Sequence, residues 1–181
     1  DSYIYVTGYT YNDLNDVKNS GSSDIFISKY DSNGNHEWTQ LIGSTVNPIY
    51  SPHVGNIDTS FGITSTEDGS LFIVGDTSGH LNGNTNKSNL FDGFLIKLDS
   101  DGNQEWTQTI EGKRLLKVVV GSDSSIFAIG YNNAYKFDKN GNQIWEKYIG
   151  GGWLNNLVID SSNSIYASGY EDKKVYITKL D

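Results

Sequence analysis

Apolar and polar residues alternate along this chain in short runs, each too brief for a helix and each bounded by Gly, Asn, Asp or Ser. The runs are rich in Ile, Val, Tyr, Phe and Thr, the residues that fit a pleated surface, so the pattern predicts strands. Four of them superimpose without gaps: Ile4-Tyr-Val-Thr-Gly-Tyr-Thr10, Leu71-Phe-Ile-Val-Gly-Asp-Thr77, Ile126-Phe-Ala-Ile-Gly-Tyr-Asn132 and Ile165-Tyr-Ala-Ser-Gly-Tyr-Glu171. Each is followed by a second run ending in Lys, an apolar residue and Asp, with the lysine at Lys29, Lys97, Lys136 and Lys179. Three continue through an Asn-Gly or Asp-Gly turn into a segment carrying Trp38, Trp106 or Trp145. Three are preceded by a further candidate strand. The chain therefore reads as a single segment of four-strand units, at about 1–43, 61–112, 115–150 and 154–181.

Side chains alternate across a strand, so Ile4 and Val6 point one way while Tyr5 and Tyr9 point the other. A sheet wetted on one side would alternate apolar with polar, whereas here both faces are apolar. That suits four-stranded sheets stacked face to face around an axis. The expected fold is all-β, a β-propeller-like array of about four antiparallel blades. The repeated glycines Gly8, Gly75, Gly130 and Gly169 fall where neighbouring backbones come close. The first unit lacks a first strand and the last lacks its Trp strand, leaving exposed edges that need a partner. Further blades, from a longer polypeptide or from neighbouring subunits, are expected to cover them.

The motifs together, Ile4 to Thr10, then Asp24-Ile-Phe-Ile-Ser-Lys-Tyr-Asp31, then Gly34-Asn35 and Trp38, resemble the bacterial SBBP repeat of large secreted and surface proteins. The likeness recurs in all four units, with departures in a shortened loop before Ala134 and an insertion from Gly43 to Ser60. It implies a propeller, an extracellular or envelope location and no shared catalytic site.

Composition narrows the functional classes. The 181 residues carry 13 basic and 22 acidic side chains for a net charge of −9, which repels phosphate backbones and disfavours nucleic-acid binding. No apolar stretch approaches the ~20 residues of a membrane span, so insertion is not expected. There is no cysteine for a disulfide, a thiolate nucleophile or a Cys-based zinc site. Neither a leading Met nor a signal-peptide pattern opens the chain, as expected of a processed or excerpted segment.

Candidate chemistry is sparse. The turns at Asp31, Asp99 and Asp138 resemble the start of a calcium loop, but their glycine comes two places early and no Glu follows at the required spacing. They are better hairpin turns, with no metal expected. A lysine repeated four times packs its stem on the sheet, its ammonium near a carboxylate. One tryptophan per unit points to packing between blades. His36, His53 and His80 have no partner at metal-ligand spacing, and no nucleophile elbow, Walker loop or cofactor fingerprint is present. No cofactor and no enzymatic activity are expected. The long connections between second and third strands, and between the first two units, share one end of the blades. They carry Tyr11, Asp13, Asp16, Tyr50, His53, His80 and Asn82, and this loop-rich face is the candidate binding surface for a protein or glycan. The leading expectation is a structural and interaction scaffold. The alternatives are a lectin-like propeller and an enzyme with a loop-borne site.

Overall fold

The computed structural model describes residues 3–45, 56–86, 91–150 and 153–180. These form four antiparallel sheets and no helix. The first sheet holds β1 (Ile4–Thr10), β2 (Asp24–Tyr30) and β3 (His36–Ile42). The second is β4 (Asp58–Ser65), β5 (Leu71–Thr77), β6 (Asp92–Leu98) and β7 (Gln104–Ile110). The third is β8 (Lys117–Val120), β9 (Ile126–Ile129), β10 (Asn133–Phe137) and β11 (Gln143–Tyr148). The fourth is β12 (Trp153–Ile159), β13 (Ile165–Glu171) and β14 (Lys174–Leu180). In every sheet the strands lie side by side in chain order, so the fold is the expected array of blades, with three strands in the first and last.

Both faces of the inner blades are buried, and the period-2 pattern decides which residue enters which core. On β5, Leu71 and Ile73 join Ile25 and Ile27 of the first sheet, while Phe72 and Val74 join Ile126 and Ala128 of the third. On β9 the intervening Phe127 and Ile129 turn the other way, to Ile165 and Ala167 of the fourth sheet. β5 and β9 are thus each the shared wall of two successive cores, whereas β1, expected to be covered on both sides, leaves Ile4 and Val6 half-exposed on one face.

The repeated glycine has a steric cause. A Cβ on Gly75 would lie 1.9 Å from the Thr59 carbonyl oxygen; on Gly130, 2.5 Å from that of Arg114; on Gly169, 2.4 Å from that of Trp153. The register slips by one residue opposite two of these, at Ser60/Gly62 and at Leu154/Asn156, which drives the neighbouring backbone inward. Gly8 instead faces the ring of Phe26, 2.7 Å from the position of a Cβ.

The tryptophans latch one blade to the next. The six-membered ring of Trp38 rests on Gly102 in the β6–β7 turn, and that of Trp106 on Gly141 in the β10–β11 turn. Both glycines are left-handed, with φ of 86° and 83°, so only a residue without a side chain suits both the bend and the indole. Trp145 lies beside Phe127, ring centroids 6.2 Å apart.

Candidate functional site

The Asx-Gly turns are closed by their own aspartates. Asp31 Oδ1 accepts from the backbone N–H groups of Asn33 and Asn35, and Oδ2 from the Asn35 side chain. Asp99 and Asp138 repeat this arrangement. These bonds favour the charged form and hold all three carboxyls below the usual range, the Asn side chain first. The acids that resembled a calcium loop therefore act as turn locks. Among the described residues no group of three or more His, Asp or Glu is placed to hold a metal ion.

The repeated lysines lie across aromatic rings. Lys97 pairs in register with Phe72, Lys136 with Phe127 and Lys179 with Tyr166, their ammonium groups 5.9, 5.1 and 6.0 Å from the ring centroids. Lys29 sits 3.9 Å over Tyr3. Only Lys97 of the four also makes an ion pair among the described residues, 2.8 Å from Glu105. The ring explains the repeated lysine better than a nearby carboxylate.

At the loop-rich end, the two long connections from second to third strand repeat one plan over residues 10–19 and 77–86. In each a Leu pairs antiparallel with the residue three further on, Leu14 with Val17 and Leu81 with Asn84, around two left-handed residues. Those are Asn15 and Asp16 in one loop, Asn82 and Gly83 in the other. Asn19 and Asn86 each donate their side-chain amide to the carbonyl at the strand end, Thr10 and Thr77, at 2.9 and 3.1 Å. Asp13 Oδ1 accepts the Asn19 backbone N–H, and His80 Nδ1 accepts that of Asn86 in the equivalent place. Asn15 and Asn82 reach the outer strand of their own blade, bonding Thr39 and Thr107. The pattern Thr-x-x-Asp/His-Leu-Asn-x-x-x-Asn was present in the sequence, but as loop rather than strand it did not enter the repeat.

This assigns five of the predicted face residues. Asp13, which also pairs with Lys18, closes the first loop, and His80 and Asn82 tie down the second; Asp16 occupies an exposed turn. Tyr11 is 64% exposed and meets Tyr9 edge to face at 5.5 Å, making an aromatic pair at the loop-rich end. Tyr50 and His53 lie outside the described residues.

Beneath these loops lie groups the sequence gave no reason to single out. Asp24, Asp58, Asp76 and Asp92 are buried at strand ends. Asp58 takes the Ser44 N–H at 2.7 Å, and burial pushes its carboxyl up, with Asp24 adding repulsion. Asp76 is pushed up to about 6 by burial, against the pull of Arg114 and with a further push from Asp58. Arg114 Nε stands 3.0 Å from Asp76 Oδ2, within ion-pair distance but without hydrogen-bond alignment. Arg114 and Asp76 are far apart in sequence, and short acids at strand ends look like ordinary turn residues.

Two clefts open at the opposite, tight-turn end. One of about 480 Å³ runs between the first and second sheets, lined by Tyr3, Tyr5, Lys29 and the turn from Thr66 to Gly69. The other, of about 790 Å³, runs between the second and third, lined by Phe72, Lys97, Ser122, Ser124 and Asn140, with Glu67 and Asp68. They are one construction repeated at successive junctions, sharing the ridge that carries Glu67 and Asp68. Of the predicted face residues that are described, none lines either cleft.

No protein-family model matches the chain, and no curated protein matches it. Among solved structures it is similar to a protein of unknown function from Bacteroides caccae, at 8% identity over 87% of this chain and 57% of that one, with a TM-score of 0.50. It is also similar to the Dos1 propeller, at 9% identity over 85% and 51%, TM-score 0.49. A gluconolactonase from Xanthomonas campestris matches at 9% identity over 85% and 67%, TM-score 0.34. The chain spans little more than half the length of the first two. At 8% identity the first likeness concerns the fold alone, and the other two superpose too loosely to carry an argument. The four antiparallel sheets stacked face to face, each with its strands in chain order, make the fold of this chain propeller-type.

Proposed function

We propose that this chain is a non-catalytic propeller module of a secreted or cell-surface bacterial protein of the SBBP-repeat kind. It acts as a rigid scaffold that presents its loop-rich end to a protein partner. The observation that carries this reading is the loop built twice to one plan. Its polar side chains tie the loop to its own blade, and the Tyr9–Tyr11 pair is left exposed beside it. Rigid aromatic anchors on a fixed frame bind with little loss of conformational entropy. The test is binding to a panel of secreted and surface proteins by the parent chain and by a Tyr9→Ser, Tyr11→Ser double variant. The reading expects binding lost in the double variant at unchanged melting temperature. Binding that survives, or turnover of an ester, lactone or glycoside abolished by one loop substitution, overturns it.

A second reading, saccharide binding, is favoured by the paired clefts, where ring, hydroxyl, ammonium and carboxylate groups meet. It expects Lys97→Ala and Tyr5→Ala to weaken binding on a glycan array while the tyrosine double variant leaves it unchanged.

A further inference from the structure

Asparagine stands directly before glycine at Asn33-Gly34, Asn82-Gly83 and Asn140-Gly141. In such a pair the glycine nitrogen, once it has lost its proton, can attack the side-chain carbonyl carbon of the asparagine, because the glycine carries no side chain to block the approach. What holds that N–H therefore decides whether the pair reacts. In two of the pairs it closes a hairpin: the Gly34 N–H donates to the Asp31 carbonyl and the Gly141 N–H to the Asp138 carbonyl, each at 3.0 Å. Both turns are locked further by their aspartates, and Gly141 is buried under Trp106.

The third pair is built differently. Asn82 and Gly83 are both left-handed, with φ of 52° and 80°, the two-residue turn that Asn-Gly favours. Its closing bond runs from the Asn84 N–H to the Leu81 carbonyl at 2.9 Å. The Gly83 N–H falls inside the turn and has no acceptor among the described residues. Both residues are exposed, and the Asn82 side chain is held by its amide bond to Thr107 at 3.1 Å.

We propose that Asn82 is a site of spontaneous covalent modification by water. Hydroxide takes the proton of the Gly83 nitrogen, which bonds to Cγ of Asn82. The bond from Cγ to the side-chain nitrogen breaks, and ammonia leaves with a proton from water, so that a succinimide ring remains. A water molecule then opens the ring at one of its two carbonyls, giving aspartate or isoaspartate. Water enters, ammonia leaves and nothing is oxidised or reduced. Either product adds a negative charge and has lost the amide that donated to Thr107. Isoaspartate also lengthens the backbone of a two-residue turn, so the modification releases this loop from β7. The first loop is exempt. There Asn15 is followed by Asp16, which occupies the place of Gly83 at φ 66° and whose side chain crowds the attack. The inference rests on the geometry of the turns and stands apart from the binding function proposed above.

The test is peptide mapping by mass spectrometry after timed incubation of the folded chain in mildly alkaline buffer, with the urea-unfolded chain as reference. Unfolded, the three pairs are expected to react at similar rates. Folded, Asn82 is expected to stay closest to its unfolded rate. Asn33 and Asn140 are expected to fall behind it by on the order of tenfold or more, because their glycine N–H groups must break hydrogen bonds before they ionise. Gly83→Asp places its side chain in open space, at a backbone angle that Asp16 already adopts. It is expected to keep the fold, read by circular dichroism, and to slow Asn82 to the rate of Asn15. Asn33 or Asn140 reacting as fast as Asn82 in the folded chain overturns the proposal. So does a Gly83→Asp variant in which Asn82 reacts at the parent rate.

Discussion

Asp76 gives the structure a pH dependence whose sign is opposite to ordinary acid denaturation. Its carboxyl is buried at the end of β5, with Asp58 raising its proton affinity and Arg114 lowering it, and it rests at about 6 against 3.8 when exposed. A carboxyl that holds its proton more tightly folded than unfolded favours folding fully below the unfolded value. That contribution is lost as the pH rises through the folded value. The gap from 3.8 to about 6, at ~1.36 kcal/mol for each tenfold change in proton affinity, amounts to roughly 3 kcal/mol. Asp58, also raised, acts in the same direction. Asp31, Asp99 and Asp138 act oppositely: their lowered values stabilise above the unfolded value, and that stability is lost as the pH falls through the folded one. The Asp76 contribution should therefore fall steadily from about pH 4 and be gone by about pH 7.5, a loss of roughly 2 kcal/mol over that range. Urea unfolding across that range checks this. Asp76→Asn, which cannot ionise, should remove most of the loss. A parent whose stability is flat or rises from pH 5 to neutrality, or a variant with the parent's slope, would refute the reasoning.

Four substitutions probe the repeat. Gly75→Ala places a methyl group against the Thr59 carbonyl and should cost about 3 kcal/mol or more, read by urea midpoint; a cost below ~1 kcal/mol would remove the steric account. Trp106→Ala deletes the half-buried indole that rests on Gly141 and should cost about 3 kcal/mol, and an unchanged melting temperature would deny the latch. Asn86→Ala leaves the Thr77 carbonyl without its buried side-chain donor and should cost roughly 1 to 3 kcal/mol; Asn19→Ala, in the more exposed copy, should cost less.

The fold was legible because burial on both faces writes itself into the central strands of the inner blades. Leu71-Phe-Ile-Val reads as a shared wall before any sheet is seen, and a glycine recurring after it marks where backbones crowd. Turn chemistry was equally local, since Asp31 closes its hairpin within five residues. Three features were not legible, for different reasons. The lysines' aromatic partners lie across the sheet, so their role emerged only with register. The loop copies at Leu14 and Leu81 were readable in principle, but their signal is hydrogen-bonding geometry carried by Asn, Asp and His, which hydrophobic patterning does not weigh. The Asp76–Arg114 pair and the clefts arise from stacking one blade on another, and no short stretch of sequence encodes them.

The account stands most directly on the claim that the segments 11–19 and 78–86 are ordered parts of the blades. Amide hydrogen exchange at Asn19 and Asn86 tests it, because each backbone N–H is held by a side chain of its own loop, Asp13 and His80. The account predicts that both exchange far more slowly than an unstructured peptide, and that Asp13→Ala and His80→Ala each release only the amide of the same loop. Exchange of both amides at the unstructured rate in the parent chain would contradict it.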